Sequence, residues 1–142
     1  MVAIACDHGG FELKKELIKH LEKQGIDIRD FGCDSADSCD YPDYAHLVTD
    51  AIKSGEADKG ILLCGTGIGM SIAANKVEGI RAALCSDCFS AEATRLHNDT
   101  NVLCMGARVI GPELAFKIAD IWLVTEFSDE ERHNRRIGKI EC

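Results

Sequence analysis

The run Cys64-Gly65-Thr66-Gly67-Ile68-Gly69 sets a thiol, a hydroxyl and three glycines side by side, directly behind the apolar stretch 60–63. Such a stretch reads as a buried strand, and the glycines read as a tight turn leading into a helix. A cysteine at that junction stands where a helix N-terminus favours the thiolate over the thiol. The backbone N–H groups of the turn form a cradle for an anion, either a phosphate or an oxyanion that develops during reaction. A thiolate base beside an anion cradle is equipment for moving a proton on a small anionic substrate. Thr66 adds a hydroxyl that can both donate and accept. The plainer alternative is a core cysteine ahead of a packing turn.

Other glycine-loop chemistries fit less well. The spacing is G-x-G-x-G, not the G-x-G-x-x-G of a dinucleotide site, and no Gly-Lys-Ser/Thr follows as in a P-loop. Asp87 lies about 20 positions on, where a dinucleotide fold keeps its ribose-binding acid, so a nucleotide-binding or sensor module stays as the rival reading. Against it, the chain left beyond the loop is too short for a second mononucleotide half.

Further groups need a place. Asp7-His8-Gly9-Gly10 follows the first apolar run and Gly106-Ala107-Arg108 follows the last. His97-Asn98-Asp99 closes an amphipathic segment, where a histidine is ordinarily just a favourable partner for the helix dipole. Arg132 and Arg136 share one helix face, with Arg135 beside them. They either pair with Asp129, Glu130 and Glu131 on a solvated face or clamp a phosphate bidentately. Cys85 and Cys88 form the lone C-x-x-C, which without a second pair is half a zinc site at best; an incidental role outweighs a redox one. Cys6, Cys33, Cys39, Cys104 and Cys142 read as small apolar side chains or loop thiols. No metal or cofactor is expected.

The elements that position these groups alternate along the chain. Strand patterns cover 2–6, 26–31, 60–64, 80–85 and 102–105, and helical patterns cover 11–24, 44–54, 69–77, 87–96 and 112–126. Residues 32–43, rich in aspartate, read as a loop, and Ser128-Asp129-Glu130-Glu131 reads as a capping box opening a final helix. Near-continuously apolar strands separated by helices imply a five-stranded parallel sheet covered on both faces. The expected architecture is a three-layer α/β/α, Rossmann-like domain spanning 1–142 and closed by a C-terminal helix. Ligands of such sheets sit at the carboxyl edge, which gathers Asp7, Cys64 and Arg108. The helix before His97 runs back, so His97 belongs at the opposite edge, roughly 16 Å away by strand length. If His97 works with Cys64, it comes from a second copy, which predicts a homodimer with shared sites, or a tetramer of such dimers.

Composition bounds the partners. A hydrophobic fraction of 46% and a charged fraction of 28% suit an ordinary globular domain. The net charge of -8 argues against nucleic acid and anionic membranes, though a local arginine cluster still allows a small anion. No apolar run approaches the ~20 residues of a membrane span. Met1-Val2-Ala3-Ile4-Ala5-Cys6-Asp7 lacks the basic start of a signal peptide, so the expected location is the cytoplasm, with the eight cysteines reduced.

Six motifs then fall in order: Cys6-Asp7-His8-Gly9-Gly10, Asp40-Tyr41-Pro42-Asp43-Tyr44, the Cys64–Gly69 loop, His97-Asn98-Asp99 with Asn101-Val102-Leu103, Gly106-x-Arg108-Val109-x-Gly111, and Arg132-His133-x-x-Arg136. With these the chain resembles the type B ribose-5-phosphate isomerases of the RpiB/LacA/LacB sugar-phosphate isomerase family, across nearly its whole length. The resemblance implies interconversion of ribose 5-phosphate and ribulose 5-phosphate through an enediolate, without metal or nucleotide; the alternative is a six-carbon substrate, galactose 6-phosphate or allose 6-phosphate. It implies Cys64 as the base between C1 and C2 and Thr66 as the shuttle among the oxygens. The N–H groups of Gly65 to Gly69, including Gly67 and Ile68, would hold the enediolate. Asp7 and His97 would open the sugar ring, with Asn98 steadying the intermediate. His8, Arg108, Arg132 and Arg136 would bind phosphate, and Tyr41 would line the sugar site. Some relatives carry serine in place of Cys64 and a glutamate four residues later; here that later position is Ile68, the cysteine-base pattern.

Overall fold

A strand covered on both faces must be apolar at every position, because its side chains alternate between the faces. In the computed structural model, which describes residues 1–142, β1 (Val2–Cys6), β3 (Lys59–Cys64) and β5 (Val102–Gly106) meet this condition, with only Lys59 not buried. They form the centre of an all-parallel sheet of order β2-β1-β3-β5-β4. The edge strands β2 (Ile28–Asp30) and β4 (Ala82–Leu84) are shorter than their apolar patterns suggest. Each pairs on one side only and leaves its neighbour after three registered positions, Val2↔Ile28 to Ile4↔Asp30 and Ala82↔Val102 to Leu84↔Cys104.

Helices α1 (Phe11–Lys23), α4 (Cys88–Asn98) and α5 (Pro112–Val124) pack on one face, sealing a core of Leu17, Ile61, Leu63, Leu103, Ile118 and Trp122. Helices α2 (Tyr41–Lys53) and α3 (Ile68–Asn75) cover the other face over Ala3, Ala5, Leu62 and Cys104. The faces follow from handedness. The chain moves one way from β1 to β2 and the other way from β2 to β3 and on to β4, so right-handed crossovers put α1 opposite α2 and α3. That reversal opens a crevice between the carboxyl ends of β1 and β3.

Several boundaries differ from the sequence expectation. Helix α2 starts at Tyr41, inside the expected loop, because Pro42 is pre-set for a first helical turn and Asp40 enters it extended. Helix α4 runs to Asn98 and stops where Asp99 turns left-handed. The expected capping box at Ser128 does not form. Asp129 adopts φ 54 and is held there by Asn134, whose Nδ2 donates to the Asp129 carbonyl and Oδ1 at 3.3 and 2.8 Å. The last helix, α6 (Glu131–Ile140), therefore begins later, behind Glu130, with no side-chain cap.

Candidate active site

Cys64 ends β3 with its thiol against the turn that follows. Its Sγ accepts the N–H of Gly67 at 3.0 Å, and the Thr66 Oγ1 accepts the N–H of Ile68 at 3.2 Å. The loop N–H groups of Gly65, Thr66 and Gly69 have no hydrogen-bond partner within the chain. Gly67 makes the turn possible. Its φ is 78°, and a Cβ there would lie 2.5 Å from Leu84 Cδ1 and 2.8 Å from the Met105 carbonyl carbon.

Neighbouring loops close around this turn. The N–H groups of Ala107 and Arg108 donate to the carbonyls of Cys64 and Gly65 at 2.8 and 2.9 Å, tying the end of β5 to the loop. The Arg108 side chain lies over Gly65, with Nε and Nη1 3.5 Å from where a Cβ would stand, and the Tyr41 ring covers Gly69 in the same way. Asp7 is buried, and its Oδ1 accepts the N–H groups of Gly9 and Gly10 at 2.8 and 3.2 Å. Gly9 in turn packs against the Gly65 N–H, so the Asp7 carboxylate stands beside the thiol loop with Oδ2 uncommitted. The His8 Nδ1 accepts the Cys39 N–H at 3.3 Å, which places the proton of a neutral imidazole on Nε2, a donor for an anion. An open groove of about 190 Å³ runs beside Thr66, with Ile68, Leu84, Cys85 and Val109 along it.

One chain thus assembles Asp7, His8, Tyr41, Cys64, Thr66, the glycine loop and Arg108. It does not bring His97, Asn98, Arg132 or Arg136 to them. Helix α4 ends just ahead of Val102, where β5 begins, whereas Cys64 pairs with Gly106 at the far end of β5; the rise between those residues is about 13 Å. At that second edge the exposed His97 ring stacks on His133 with centroids 4.6 Å apart and planes 19° from parallel. Within one chain Arg132 pairs with Glu130, its Nε donating to Oε2 at 2.8 Å, and Arg136 stands exposed.

His133 had no assigned part in the sequence reading. A histidine flanked by charged residues on a polar helix looks solvated, yet it is the one fully buried residue of α6, and only Ile137, one turn on, points to that inner stripe. Its Nε2 is buried without a partner. Burial, and then the neighbouring His97 and Arg132, hold its proton affinity below that of an ordinary imidazole. The unfolded chain therefore binds the proton more tightly than the folded one. The neutral ring supports the fold above about pH 6.5, and that support drains away as the pH falls below it. His133→Phe keeps the stack and removes the titration. Between about pH 7.5 and about pH 5.5, the melting temperature of the wild type is expected to fall further than that of the variant. Parallel profiles would contradict the assignment.

The acid that favoured a nucleotide site is occupied otherwise. Asp87 caps α4, its Oδ1 accepting the Ser90 N–H at 2.7 Å and its Oδ2 the Ser90 hydroxyl at 2.9 Å. The Ser90 bonds, backbone N–H first, hold the Asp87 carboxyl below the usual range. Cys85, beside it in the C-x-x-C, is buried, and that burial pushes its thiol up to about 11.

Known proteins match this chain over nearly its whole length. The sequence model of the family described as Ribose/Galactose Isomerase matches residues 2–140. Ribose-5-phosphate isomerase B of Escherichia coli is 50% identical over 139 residues, 98% of this chain and 93% of that protein. Among solved structures, a ribose 5-phosphate isomerase from Thermotoga maritima superposes with a TM-score of 0.96 at 54% identity, covering 99% of this chain and 96% of the other. Ribose-5-phosphate isomerase B from Clostridium thermocellum gives the same TM-score of 0.96 at 51% identity, with 99% and 94% covered.

Proposed function

The chain belongs to the ribose/galactose isomerase family, and from that premise we propose that it interconverts D-ribose 5-phosphate and D-ribulose 5-phosphate in the cytoplasm, residues 1–142 acting as one isomerase domain. The observation that carries this reading is the contact of the Cys64 sulfur with the Gly67 N–H inside a loop whose Gly65, Thr66 and Gly69 N–H groups have no partner within the chain. A proton alpha to a carbonyl is weakly acidic, so its removal needs a placed base and donors for the oxyanion that forms. In the aldose-to-ketose direction the Cys64 thiolate takes the C2 proton of the open-chain sugar. The electron pair moves into an enediolate, whose oxygens take hydrogen bonds from Gly65, Thr66 and Gly69 N–H. Thr66 passes a proton between O1 and O2, and the Cys64 thiol returns its proton to C1. His8 and Arg108 bind the phosphate from the same chain, and Tyr41 packs along the sugar. No step calls for a metal or a cofactor.

The remaining groups come from a second copy. His97 acts with Asp7 to open the furanose ring, Asn98 steadies the intermediate, and Arg132 and Arg136 complete the phosphate clamp across a homodimer. Exposed apolar residues along the groove beside Thr66 support this reading: Ile68, Leu84 and Val109 are 51, 42 and 59% accessible in the isolated chain, and a second copy seated there would cover them.

Incubation with ribose 5-phosphate in deuterated water tests the reaction. Ribulose 5-phosphate should form, with deuterium appearing at the carbon that receives the proton from Cys64. Absence of both ketose and exchange, with tight mononucleotide binding instead, would sink the proposal. Faster turnover of galactose 6-phosphate or allose 6-phosphate would move the substrate to six carbons.

A further inference from the structure

The turn that carries His97 and Asn98 is held by two guanidiniums. The last carbonyls of a helix lack partners within it, and here Asp99 turns left-handed, so those of α4 must be satisfied from outside. Arg95, within α4, braces the turn that follows: Nη1 donates to the Thr100 carbonyl at 2.6 Å and to Asp99 Oδ1 at 2.8 Å, and Nε to the Thr125 carbonyl at 3.1 Å. Arg81 arrives from the residue before β4: Nε donates to the Asn98 carbonyl at 2.9 Å and Nη2 to the Asp99 carbonyl at 2.8 Å. Its remaining arm, Nη1, reaches Glu141 Oε1 at 2.6 Å, immediately behind α6. Arg81 is itself anchored, its backbone N–H donating to Asn101 Oδ1 at 2.8 Å.

One side chain therefore joins the end of the helix that bears His97 and Asn98 to the end of the helix that bears His133, Arg132 and Arg136. Helix α6 needs such a tie, because only His133 and Ile137 turn inward along its length. We propose that Arg81 is a positioning residue for the isomerase: by locking the end of α4 to α6 it fixes, above all, where His97 meets the substrate of the second copy. This rests on the reading that His97 opens the ring of a substrate bound by the other copy. Only a planar fork can meet three acceptors in fixed directions; lysine offers a point charge on a flexible stem, so Arg81→Lys is not conservative here.

The ring step allows a test. Ribulose 5-phosphate cannot close a furanose ring, because the hydroxyl on C5 is esterified, so hydrogen exchange at its C1 needs Cys64 but no ring opening. Arg81→Gln and Arg81→Lys should lower kcat from ribose 5-phosphate by about tenfold or more, the scale of a small misplacement of a reacting group. Exchange at C1 of saturating ribulose 5-phosphate should fall clearly less than that, by no more than the share that Asn98 carries. In the His97→Ala background, Arg81→Gln should cost clearly less than it does in the wild type, since most of its effect passes through His97. Equal losses in the two readouts, losses that multiply fully with His97→Ala, or no loss at all would overturn the inference while leaving the proposed function standing. Wild-type turnover of ribose 5-phosphate by His97→Ala would overturn it through its premise. Circular dichroism and the dimer mass of each variant separate these outcomes from simple unfolding.

Discussion

Cys64→Ser is expected to lower kcat from ribose 5-phosphate by about 10²–10⁴-fold, the span associated with a positioned base, and to leave the fold in place. The substitution changes one atom. A serine hydroxyl can accept the same Gly67 N–H that the sulfur accepts now, so the turn into α3 keeps its geometry. Cys64 is 5% exposed and sits at the edge of its core layer, where a hydroxyl so bonded costs little, on the order of 1 kcal/mol. What the hydroxyl cannot do is supply the thiolate, the stronger base of the two side chains. The loss should strike both directions equally, because in the proposed mechanism the same group takes the proton from C2 and from C1. Deuterium exchange into ribulose 5-phosphate should therefore collapse together with forward turnover. Melting temperature and phosphate affinity should change little. Retention of a substantial part of either activity would place the base on another residue, and the absence of an acid at Ile68 leaves few candidates in this loop.

That expectation could be framed before any coordinates because of where information about this site resides. The thiol, the hydroxyl and the glycines are contiguous, and the apolar run before them declares a buried strand, so both the loop and its edge of the sheet were legible. The separation of His97 from Cys64 was legible too, since a parallel strand and its following helix must run in opposite directions. Helix starts were harder. Tyr41 opens α2 because Pro42 favours a first turn, yet the surrounding aspartates read as loop; the start of α6 depends on Asp129 turning left-handed, a backbone choice that its side chain permits but does not dictate. The supporting residues were hidden altogether. His133 is buried by tertiary packing beneath a helix that looks polar all round, and Arg81 is matched to backbone carbonyls 17 and 18 residues further on, which carry no side-chain signature. Groups that do chemistry announce themselves by type and spacing; groups that hold them in place are defined by distances that only the fold creates.

His97→Ala should separate two steps that Cys64→Ser abolishes together. Ribose 5-phosphate rests mainly as a ring, and opening it requires a proton taken from one oxygen and given to another, a task worth about 10²–10⁴-fold for a placed acid or base. Forward turnover should fall by that order. Hydrogen exchange at C1 of ribulose 5-phosphate, already open, should fall far less, because Cys64, Thr66 and the loop donors remain whole in the same chain. The geometry adds a second demand. His97 lies at the far edge of the sheet from its own Cys64, so on the proposed reading the ring it serves is bound by another copy. Mixing Cys64→Ala with His97→Ala chains should therefore restore activity: each mixed dimer holds one site with both changes and one with neither. After random exchange the intact sites number about one quarter of those in the wild type, and turnover should recover to that level. Verified mixed dimers that stay inactive would confine each site to one chain. Equal loss of turnover and of C1 exchange in His97→Ala would remove the ring step from its role. The two readouts are independent, since the first asks which bond His97 acts on and the second asks whose substrate carries that bond.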